Sequence, residues 1–302
     1  MNNNGCHHII IDWGTTNFRA FAMSKEHELL DSITLAIGLL NIEKDDFSST
    51  LKQVLENLIG KHYKQLPVFM AGMVGSSQGW VNVDYVSTPV SLRELVSGCH
   101  RFILPWGAKA YIYPGVSHQY SNSKFDVMRG EEVQAFGFSH LINCDSALII
   151  LPGTHSKHIS LNHNKIDAVT SYLTGELFSL LLGHSILGRG LPDSQIMYQK
   201  AFIRGVREAQ QGEFSQRIFL ARTHLLFEQL LAEEVSDYLS GMLIGFELRN
   251  IDKHHKIHLV GADDLCEKYQ LAATEMGHNV EIINGNQSFI AGMSELIKAN
   301  KD

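Results

Sequence analysis

Short apolar runs alternate with amphipathic stretches along the first 120 residues of the chain. The run at residues 9–11 stops at Asp12, turns through Gly-Thr-Thr-Asn and resumes at residue 18, which predicts two strands joined by a polar turn. Serine and threonine at residues 48–50 precede apolar positions spaced three or four apart, and so predict a capped amphipathic helix. Further strands are predicted at residues 66–71, 102–104 and 111–113.

The alternation restarts after a polar stretch at residues 117–124, which we expect to be the boundary between two domains. The predicted order beyond it is helix 131–140, strand 147–151, polar turn 152–157, strand 158–161, a mostly helical region 194–249, strand 257–260, a helix to about 276, strand 280–283 and a last helix from 288. Gly241 and Gly245 lie on one apolar helical face, which indicates that another backbone packs closely there.

Strands and helices alternate in both halves, which predicts the α/β class with two domains. We expect these domains to be residues 1–120 and 121–285, with the last helix, 286–302, packing back on the first. The chain has 302 residues, 44% of them hydrophobic and 19% charged, which is typical of globular proteins. A net charge of −7 argues against a nucleic-acid-binding surface.

The sequence carries none of the common targeting or metal motifs. We find no signal-peptide pattern and no apolar run near the roughly 18 residues of a membrane span. The four cysteines lack C-x-x-C spacing, which fits reduced cytosolic thiols. Together these observations lead us to expect a cytoplasmic protein without membrane contact. The 16 histidines lack the spacing of a zinc site, so we expect them at the surface or in hydrogen bonds.

The first polar turn has the groups that a nucleotide phosphate and its cation need. Gly14 allows close approach of a ligand, and Thr15, Thr16 and Asn17 offer hydroxyl, amide and main-chain donors. Asp12 is placed to hold a hydrated cation beside them, so it is the candidate metal residue, acting through water. An ordinary hairpin with a polar turn explains the same residues.

A second strand–turn–strand unit opens the other half of the chain, without an acid before its glycine. Its turn consists of Gly153, Thr154, His155, Ser156 and Lys157. Later, a predicted strand meets Gly261 and Ala262 directly before a helix. The chain contains neither G-x-x-x-x-G-K-[ST] nor G-x-G-x-x-G, so P-loop and Rossmann nucleotide binding are not supported.

Two such turns and a late strand–glycine–helix unit resemble the layout of the actin-like sugar kinase superfamily. The two turns resemble its two phosphate loops, and residues 259–266 resemble its adenosine-binding turn. Six segments resemble more closely one family, the 2-dehydro-3-deoxygalactonokinases: AGMVGSSQGW (71–80), MRGEEVQ (128–134), LPGTHSK (151–157), TGELF (174–178), HSILGR (184–189) and YLSGMLIG (238–245). Ser77 stands where the family often has arginine, and Ala262 with Asp263 also departs from its commoner residues.

The resemblance implies a two-domain actin-like ATPase (ribonuclease H-like) fold with an interdomain cleft, whose two loops clamp nucleotide phosphates. It implies ATP and Mg²⁺ as cofactors, and phosphorylation of 2-dehydro-3-deoxy-D-galactonate at its terminal C6 hydroxyl in galactonate catabolism. The implied partners are small molecules, without nucleic acid or membrane; a homodimer stays open. Alternatives are a kinase of another sugar or sugar acid, and a non-catalytic ATP-binding regulator.

The general base is expected in residues 126–132, because related sugar kinases place an acid before the corresponding helix. Glu131 is the first candidate and Asp126 the second, although carboxylates at a helix start also complement the helix dipole. The planar fork of Arg129 suits either a substrate carboxylate or the transferring phosphoryl group. A salt bridge between domains is the alternative role of Arg129.

A glycine-rich loop after the strand at residues 66–71 is the candidate substrate site. Gly75 and Gly79 permit a tight path, Ser76 and Gln78 can bond hydroxyl groups, and Trp80 can stack on a carbon skeleton. Residues 75–79 also match G-x-S-x-G, the motif of a serine hydrolase, which would use Ser77. That motif needs a strand directly before it and a helix directly after, whereas residues 81–85 alternate like a strand.

Overall fold

The computed structural model describes residues 5–39, 42–43, 46–192 and 196–300. The strands are β1 His8–Trp13, β2 Phe18–Met23, β3 Leu29–Leu35, β4 Val68–Ala71, β5 Val86–Ser87, β6 His100–Ile103, β7 Lys109–Ile112, β8 Val116–Ser121, β9 Lys124–Met128, β10 Ala147–Leu151, β11 Ser156–Asn162, β12 Lys165–Tyr172, β13 Ile257–Gly261 and β14 Val280–Asn284. The helices are α1 Phe47–Ile59, α2 Leu92–Ser97, α3 Glu131–Ile142, α4 Thr174–His184, α5 Gln199–Glu208, α6 Phe214–Ile218, α7 Leu220–Leu226, α8 Val235–Leu248, α9 Asp263–Glu275 and α10 Gly285–Ala299. The predicted α/β class is confirmed.

The chain forms two compact units. The first consists of residues 1–146, 159–169 and 285–302, and the second of residues 147–158 and 170–284. This division differs from the expected boundary at residue 120, because α3 packs with α10 inside the first unit. A Cβ built on Gly137 of α3 would lie 1.7 Å from the carbonyl oxygen of Ser288, and one on Gly292 of α10 would lie 1.9 Å from that of Val133. Because glycine has no side chain, the backbones of the two helices can be in direct contact.

The first unit contains a six-stranded sheet in the order β3-β2-β1-β4-β7-β6. Strand β1 pairs antiparallel with β2 and parallel with β4, and β4 pairs parallel with β7. Ile9 and Ile11 of β1 are fully buried beside α1, whose apolar face includes Leu51 and Leu55. The buried core therefore holds β1 in the middle of the sheet, with the first polar turn at its end.

The second unit contains most of a five-stranded sheet in the order β12-β11-β10-β13-β14; β11 and β12 each have residues in both units. Strand β13 pairs parallel with β10 and β14. Helices α5 and α8 pack backbone to backbone, since a Cβ built on Gly241 would lie 2.0 Å from the carbonyl oxygen of Phe202. The close approach predicted at Gly241 is confirmed.

Three local predictions need correction. The polar stretch at residues 117–124 is not a linker, because β8 and β9 pair antiparallel across it. Helix α1 begins at Phe47 after Asp46, without a side-chain capping hydrogen bond, so Ser48 does not cap it. Residues 81–85 lie outside the strands despite their alternation. Alternation predicts a strand only where a neighbouring strand is available to pair with it.

No helix in the described part of the chain is long and apolar enough to cross a bilayer.

Candidate active site

The first polar turn is held by backbone hydrogen bonds, which leave its side chains outward. The amide of Gly14 donates to the carbonyl of Asn17 at 2.9 Å, and the amide of Gly38 donates to the carbonyl of Thr16 at 2.8 Å. Thr15, Thr16 and Asn17 are all exposed. The turn therefore presents the hydroxyl and amide groups that the sequence predicted, and its backbone is held in place by these hydrogen bonds.

Asp12 forms an ion pair that the sequence analysis missed. It lies opposite Arg19 in the antiparallel register of β1 and β2, and Arg19 Nε donates to Asp12 Oδ2 at 3.0 Å. A second nitrogen of Arg19 bonds to the same oxygen, and a third donates to Asn286 of α10. This pairing could have been predicted from the sequence, because Asp12 and Arg19 are equidistant from the centre of the predicted turn and so lie opposite each other in a hairpin.

The beginning of α3 lies beside Asp12. Gly130, which precedes this helix, has a φ of 109°, a conformation that favours glycine. A Cβ there would lie 3.3 Å from Cα of Gly72 and 4.0 Å from Asp12 Oδ1. Gly72 in turn lies against the backbone of Trp13. The structure thus brings together the end of β1, the glycine after β4 and the start of α3.

The two candidate bases have different surroundings. Glu131 is the first residue of α3 and is partly buried, and its carboxylate accepts a hydrogen bond from the Arg129 amide at 2.9 Å. Asp126 lies within β9, and its carboxylate accepts from the Val127 amide at 2.8 Å and from the Tyr120 hydroxyl at 3.3 Å. Glu131 is therefore adjacent to the residue that contacts Gly72, whereas Asp126 is held within the β8–β9 hairpin.

Glu132 was not singled out by the sequence analysis, yet it is fully buried. Both of its carboxylate oxygens lie 2.8 Å from the Gly130 amide. Burial, and next the charge of Glu131, raise the pKa of the Glu132 carboxyl to about 8. A group that is largely protonated at neutral pH is a poor general base, so Glu132 does not compete with Glu131 for that role.

Arg129 is a buried cation whose hydrogen-bonding capacity is mostly unused. Its side chain lies over the ring of Tyr85, with 4.2 Å between the guanidinium carbon and the ring centroid, and Nη2 donates to the Val83 carbonyl at 2.7 Å. Its Nε and Nη1 are buried and have no hydrogen-bond partner among the described residues. A Cβ built on Gly75 would lie 3.0 Å from Nη1. An unsatisfied edge of the guanidinium therefore faces the predicted substrate loop.

The predicted substrate loop supplies one further unpaired group. Ser76 is buried, and its hydroxyl has no hydrogen-bond partner in the described part of the chain. Gln78 is exposed, and the Gly79 amide donates to the Ser76 carbonyl at 2.9 Å. Trp80 instead joins the core of the first unit, where its ring stacks on Phe47 at 6.0 Å between centroids. Its ring is thus committed to packing in this structure.

The loop does not have the geometry of a hydrolase elbow. Strand β4 ends at Ala71 and is followed by Gly72 and a short 3-10 helix at Met73–Gly75. Ser77 is exposed, and no helix follows it before residue 92 among the described residues. The strand–nucleophile–helix arrangement that G-x-S-x-G requires is therefore missing around Ser77.

The second polar turn packs against the start of α4. The Thr154 carbonyl accepts a hydrogen bond from the Glu176 amide at 2.9 Å, and the His155 ring bonds to the Glu176 carboxylate. A Cβ built on Gly175 would lie 2.5 Å from the carbonyl oxygen of Gly153. Thr154 and His155 are exposed; the Thr154 side chain faces solvent, and the His155 ring is held by Glu176.

Ser156 and Lys157 of that turn are buried. Lys157 is 7% exposed, and its Nζ donates to the Ser171 hydroxyl at 2.5 Å. Ser156 is fully buried, and its hydroxyl donates to Glu247 at 2.6 Å. The Ser156 side chain is thus directed into the second unit, not toward the exposed edge of the turn.

The third nucleotide candidate has the predicted strand–glycine–helix form. Gly261 ends β13, and the exposed Ala262 is the N-cap of α9. A Cβ on Gly261 would lie 3.2 Å from Cys266 Sγ. The first amides of a helix have no acceptor within the helix, so the start of α9 is suited to bind polar or anionic groups of a ligand.

The described residues contain no group of three or more His, Cys, Asp or Glu side chains that could hold a metal ion. Asp12 is partly buried, with Oδ2 bonded to Arg19. A cation held by Asp12 would therefore take most of its ligands from water and from a bound ligand.

Comparisons with known proteins identify the fold. A solved structure of a candidate 2-dehydro-3-deoxygalactonokinase from Sinorhizobium meliloti has a TM-score of 0.88 and 28% identity, covering 97% of this chain and 99% of that one. A dehydratase activator from Clostridium difficile, solved with bound ADPNP, shares the fold, with a TM-score of 0.52, 12% identity and coverage of 98% and 96%. The class of protein is thus a kinase with the actin-like ATPase fold.

Sequence relatives define the family within that class. The family model for 2-keto-3-deoxy-galactonokinase matches residues 12–296. The 2-dehydro-3-deoxygalactonokinase of Escherichia coli (strain K12) is 33% identical over 299 residues, covering 97% of this chain and 98% of the relative. The chain belongs to the 2-keto-3-deoxy-galactonokinase family, and the predictions of a kinase and of its family are confirmed.

Proposed function

We propose that the enzyme transfers the γ-phosphoryl group of ATP to the terminal C6 hydroxyl of 2-dehydro-3-deoxy-D-galactonate, forming the 6-phosphate. The single observation that carries this proposal within the family is the buried Arg129, whose Nε and Nη1 have no hydrogen-bond partner among the described residues. A buried, unpaired guanidinium is costly, so the site is suited to an anionic ligand. Relatives named for this sugar acid support the identity of that ligand.

Arg129 fits the carboxylate of the substrate better than the transferred phosphoryl group. Its guanidinium is held by Val83 and Tyr85 and lies against Gly75 of the substrate loop. Asp12, by contrast, is approached by the backbone of Gly130 and Gly72. A planar fork beside the substrate loop can bind a carboxylate with two parallel hydrogen bonds, and the unpaired Ser76 hydroxyl adds a donor for a sugar oxygen.

The two polar turns are the proposed phosphate sites. Thr15, Thr16 and the amide of Asn17 would bond to phosphate oxygens in the first unit, and Thr154 and Lys157 would do so in the second. The side chains of Thr15, Thr16, Asn17 and Thr154 are exposed. Lys157 adds a positive charge. Gly14, Gly153 and Gly261 allow backbone approach, and Ala262 at the start of α9 is proposed to lie beside the adenosine.

Glu131 is the proposed general base. It would take the proton of the C6 hydroxyl while the hydroxyl oxygen bonds to the γ-phosphorus and the bond to the ADP oxygen breaks. ADP leaves with that electron pair. Mg²⁺, bound through water to Asp12, would neutralise charge on the phosphates. Positioning and charge stabilisation carry most of the rate in such a reaction, because its transition state is loose.

Measurement of ADP release tests this function. Wild-type enzyme with MgATP should turn over 2-dehydro-3-deoxy-D-galactonate, and ³¹P NMR of the product should show a phosphate ester at C6. The same compound with its carboxylate converted to a primary amide should be a poor substrate. Arg129→Met should raise the KM for the acid by about tenfold or more, because a charged hydrogen-bonded pair is lost. The KM values for the acid and for the amide should then be similar.

The stability of the Arg129 variant separates binding from folding. Because the cation has no anionic hydrogen-bond partner among the described residues, its replacement by Met should leave the Tm of the substrate-free protein unchanged or raise it. Equal turnover of the acid and the amide by wild-type enzyme would contradict the proposed role of Arg129. Absence of ADP release with every sugar acid tested would contradict the function itself.

A further inference from the structure

The second unit contains a buried carboxylate, Glu247 of α8, that the proposed reaction does not use. Glu247 is 3% exposed and accepts hydrogen bonds on both oxygens. On Oε1 it accepts from the Ser156 hydroxyl at 2.6 Å and from His158 Nε2 at 2.8 Å. On Oε2 it accepts from the Tyr269 hydroxyl at 2.6 Å and from the Thr174 hydroxyl. Four side chains thus converge on one carboxylate.

The four donors come from three other elements, and two of these elements form the second polar turn and its support. Ser156 and His158 begin β11, directly after the exposed Thr154 and His155. Thr174 is the first residue of α4, whose next residues, Gly175 and Glu176, contact the turn backbone. Tyr269 lies on α9, the helix that begins after Gly261 and Ala262.

We propose that Glu247 is the positioning residue that orders the second polar turn for nucleotide phosphates. The inference rests on the proposed function, since it assumes that this turn binds ATP. Glu247 is bonded to both β11, which follows the turn, and α4, which contacts the turn. The exposed residues between Gly153 and His155 are therefore fixed from both sides. A carboxylate serves this purpose because its two oxygens accept several donors at once, and none of those donors then competes for the phosphates.

A glutamine at this position could not replace the carboxylate. Its amide nitrogen carries two protons and would face two of the four donors, leaving them without an acceptor. The turn would stay folded on the sheet, but its conformation would no longer be fixed before ATP binds. The cost should therefore fall on ATP binding, because preorganisation that is lost must be restored by the ligand.

Glu208 provides a matched control in the same unit. It is a partly buried glutamate that, like Glu247, has several donors, accepting from Tyr238 at 2.5 Å, from Arg204 at 2.8 Å and from His224 at 3.0 Å. Its partners lie on α5, α7 and α8, none of which includes residues of the second turn. Loss of its charge should lower the Tm without changing ATP binding.

The experiment compares Glu247→Gln, Glu208→Gln and wild-type enzyme. Kd for ATP is measured by calorimetry, and KM for ATP and for the sugar acid by ADP release, at a temperature where each variant is folded. Tm is measured separately by a thermal scan with circular dichroism. Glu247→Gln should raise the Kd and KM for ATP by about tenfold or more, with less than about a twofold change in KM for the sugar acid. Glu208→Gln should keep the wild-type values for ATP.

A milder variant keeps the test informative if Glu247→Gln does not fold. Thr174→Val removes one donor, conserves the side-chain shape, and should raise the KM for ATP by about two- to fivefold. A wild-type Kd for ATP in folded Glu247→Gln or Thr174→Val protein, with only a lower Tm, would overturn the positioning role. If wild-type enzyme itself fails to bind ATP, the proposed function fails instead, so the two failures are distinguishable.

Discussion

The two polar turns look alike in sequence but are held in different ways. Both lie between neighbouring strands of a sheet. The first is ordered by backbone bonds from Gly14 and Gly38, and its one acid, Asp12, is matched by Arg19 directly across the hairpin. The second has no acid of its own, and a glutamate about 90 residues away, Glu247, satisfies its buried serine. One turn is stabilised by near neighbours, whereas the other depends on a distant helix.

Unsatisfied groups are also distributed unequally around the two turns. Near the first, Arg129 and Ser76 have buried polar atoms without partners among the described residues, and Glu132 has a raised pKa. Around the second, Glu247 and its donors are mutually satisfied. Perturbed and unpaired groups gather where chemistry occurs, and satisfied networks give rigidity. We therefore propose that the first region governs turnover more than the second, and that the second affects mainly the affinity for nucleotide.

The largest expected effect tests the first region. Glu131→Gln preserves the shape of the side chain but cannot accept a proton at neutral pH. If Glu131 is the base, kcat should fall about 10²–10⁴-fold with KM for ATP unchanged, and the acid limb of the pH–rate profile should disappear. Steady-state kinetics across pH 5–9 measure both effects.

Asp126→Asn is the discriminating variant for that experiment. A large fall in kcat for Asp126→Asn and none for Glu131→Gln would transfer the role to Asp126. A small effect from both would mean that positioning of the substrates dominates the rate, as a loose transition state permits. A change in KM for ATP alone would break the assignment of turnover to this region.

A smaller effect is expected from the support of the second turn. Gly175→Ala places a Cβ 2.5 Å from the carbonyl oxygen of Gly153, so the turn and α4 must move apart. KM for ATP should rise about tenfold, with kcat at saturating ATP changed much less. Gly183→Ala is the control on the same helix, because nothing lies within 4 Å of its Cβ position. An equal effect of both alanines would locate the cause in the helix and not in the turn.

The smallest effect concerns stability and pH. Because the pKa of Glu132 is about 8 in the folded protein and lower in the unfolded chain, the unfolded state loses its proton first as pH rises from about 4.5 to 8. Folding stability contributed by this group therefore falls across that window. Glu132→Gln removes the effect, so its Tm should exceed that of wild type by about 2–4 °C at pH 8 and by less at pH 5.

The exposed Glu56 provides the control for that measurement. Glu56→Gln should give a Tm difference from wild type that is independent of pH across the same range. A Tm difference for Glu132→Gln that is also flat with pH would show that the Glu132 carboxyl titrates normally in the folded protein.

Much of the fold could be predicted because local signals and tertiary structure agreed. The strand at residues 147–151 was predicted with the bounds that the structure shows, since five successive apolar residues between Ser146 and the turn-forming Pro152 have few alternatives. Residues 117–124 were misread, because a polar surface hairpin and a linker have the same composition. The division of the chain could not be read either, as it depends on the glycine contact between α3 and α10, which are about 150 residues apart.

The sequence by itself determined the residue types at the two turns, the strand that carries each, and the family. Those features are local, and a polar turn between apolar runs has only a few backbone solutions. Only the tertiary structure decided that Trp80 packs in the core, that Nε and Nη1 of Arg129 are buried without a hydrogen-bond partner among the described residues, and that Glu247 accepts from four side chains. Each of these depends on contacts between residues distant in the chain, because burial and charge pairing are set by which elements pack together and not by the order of neighbours.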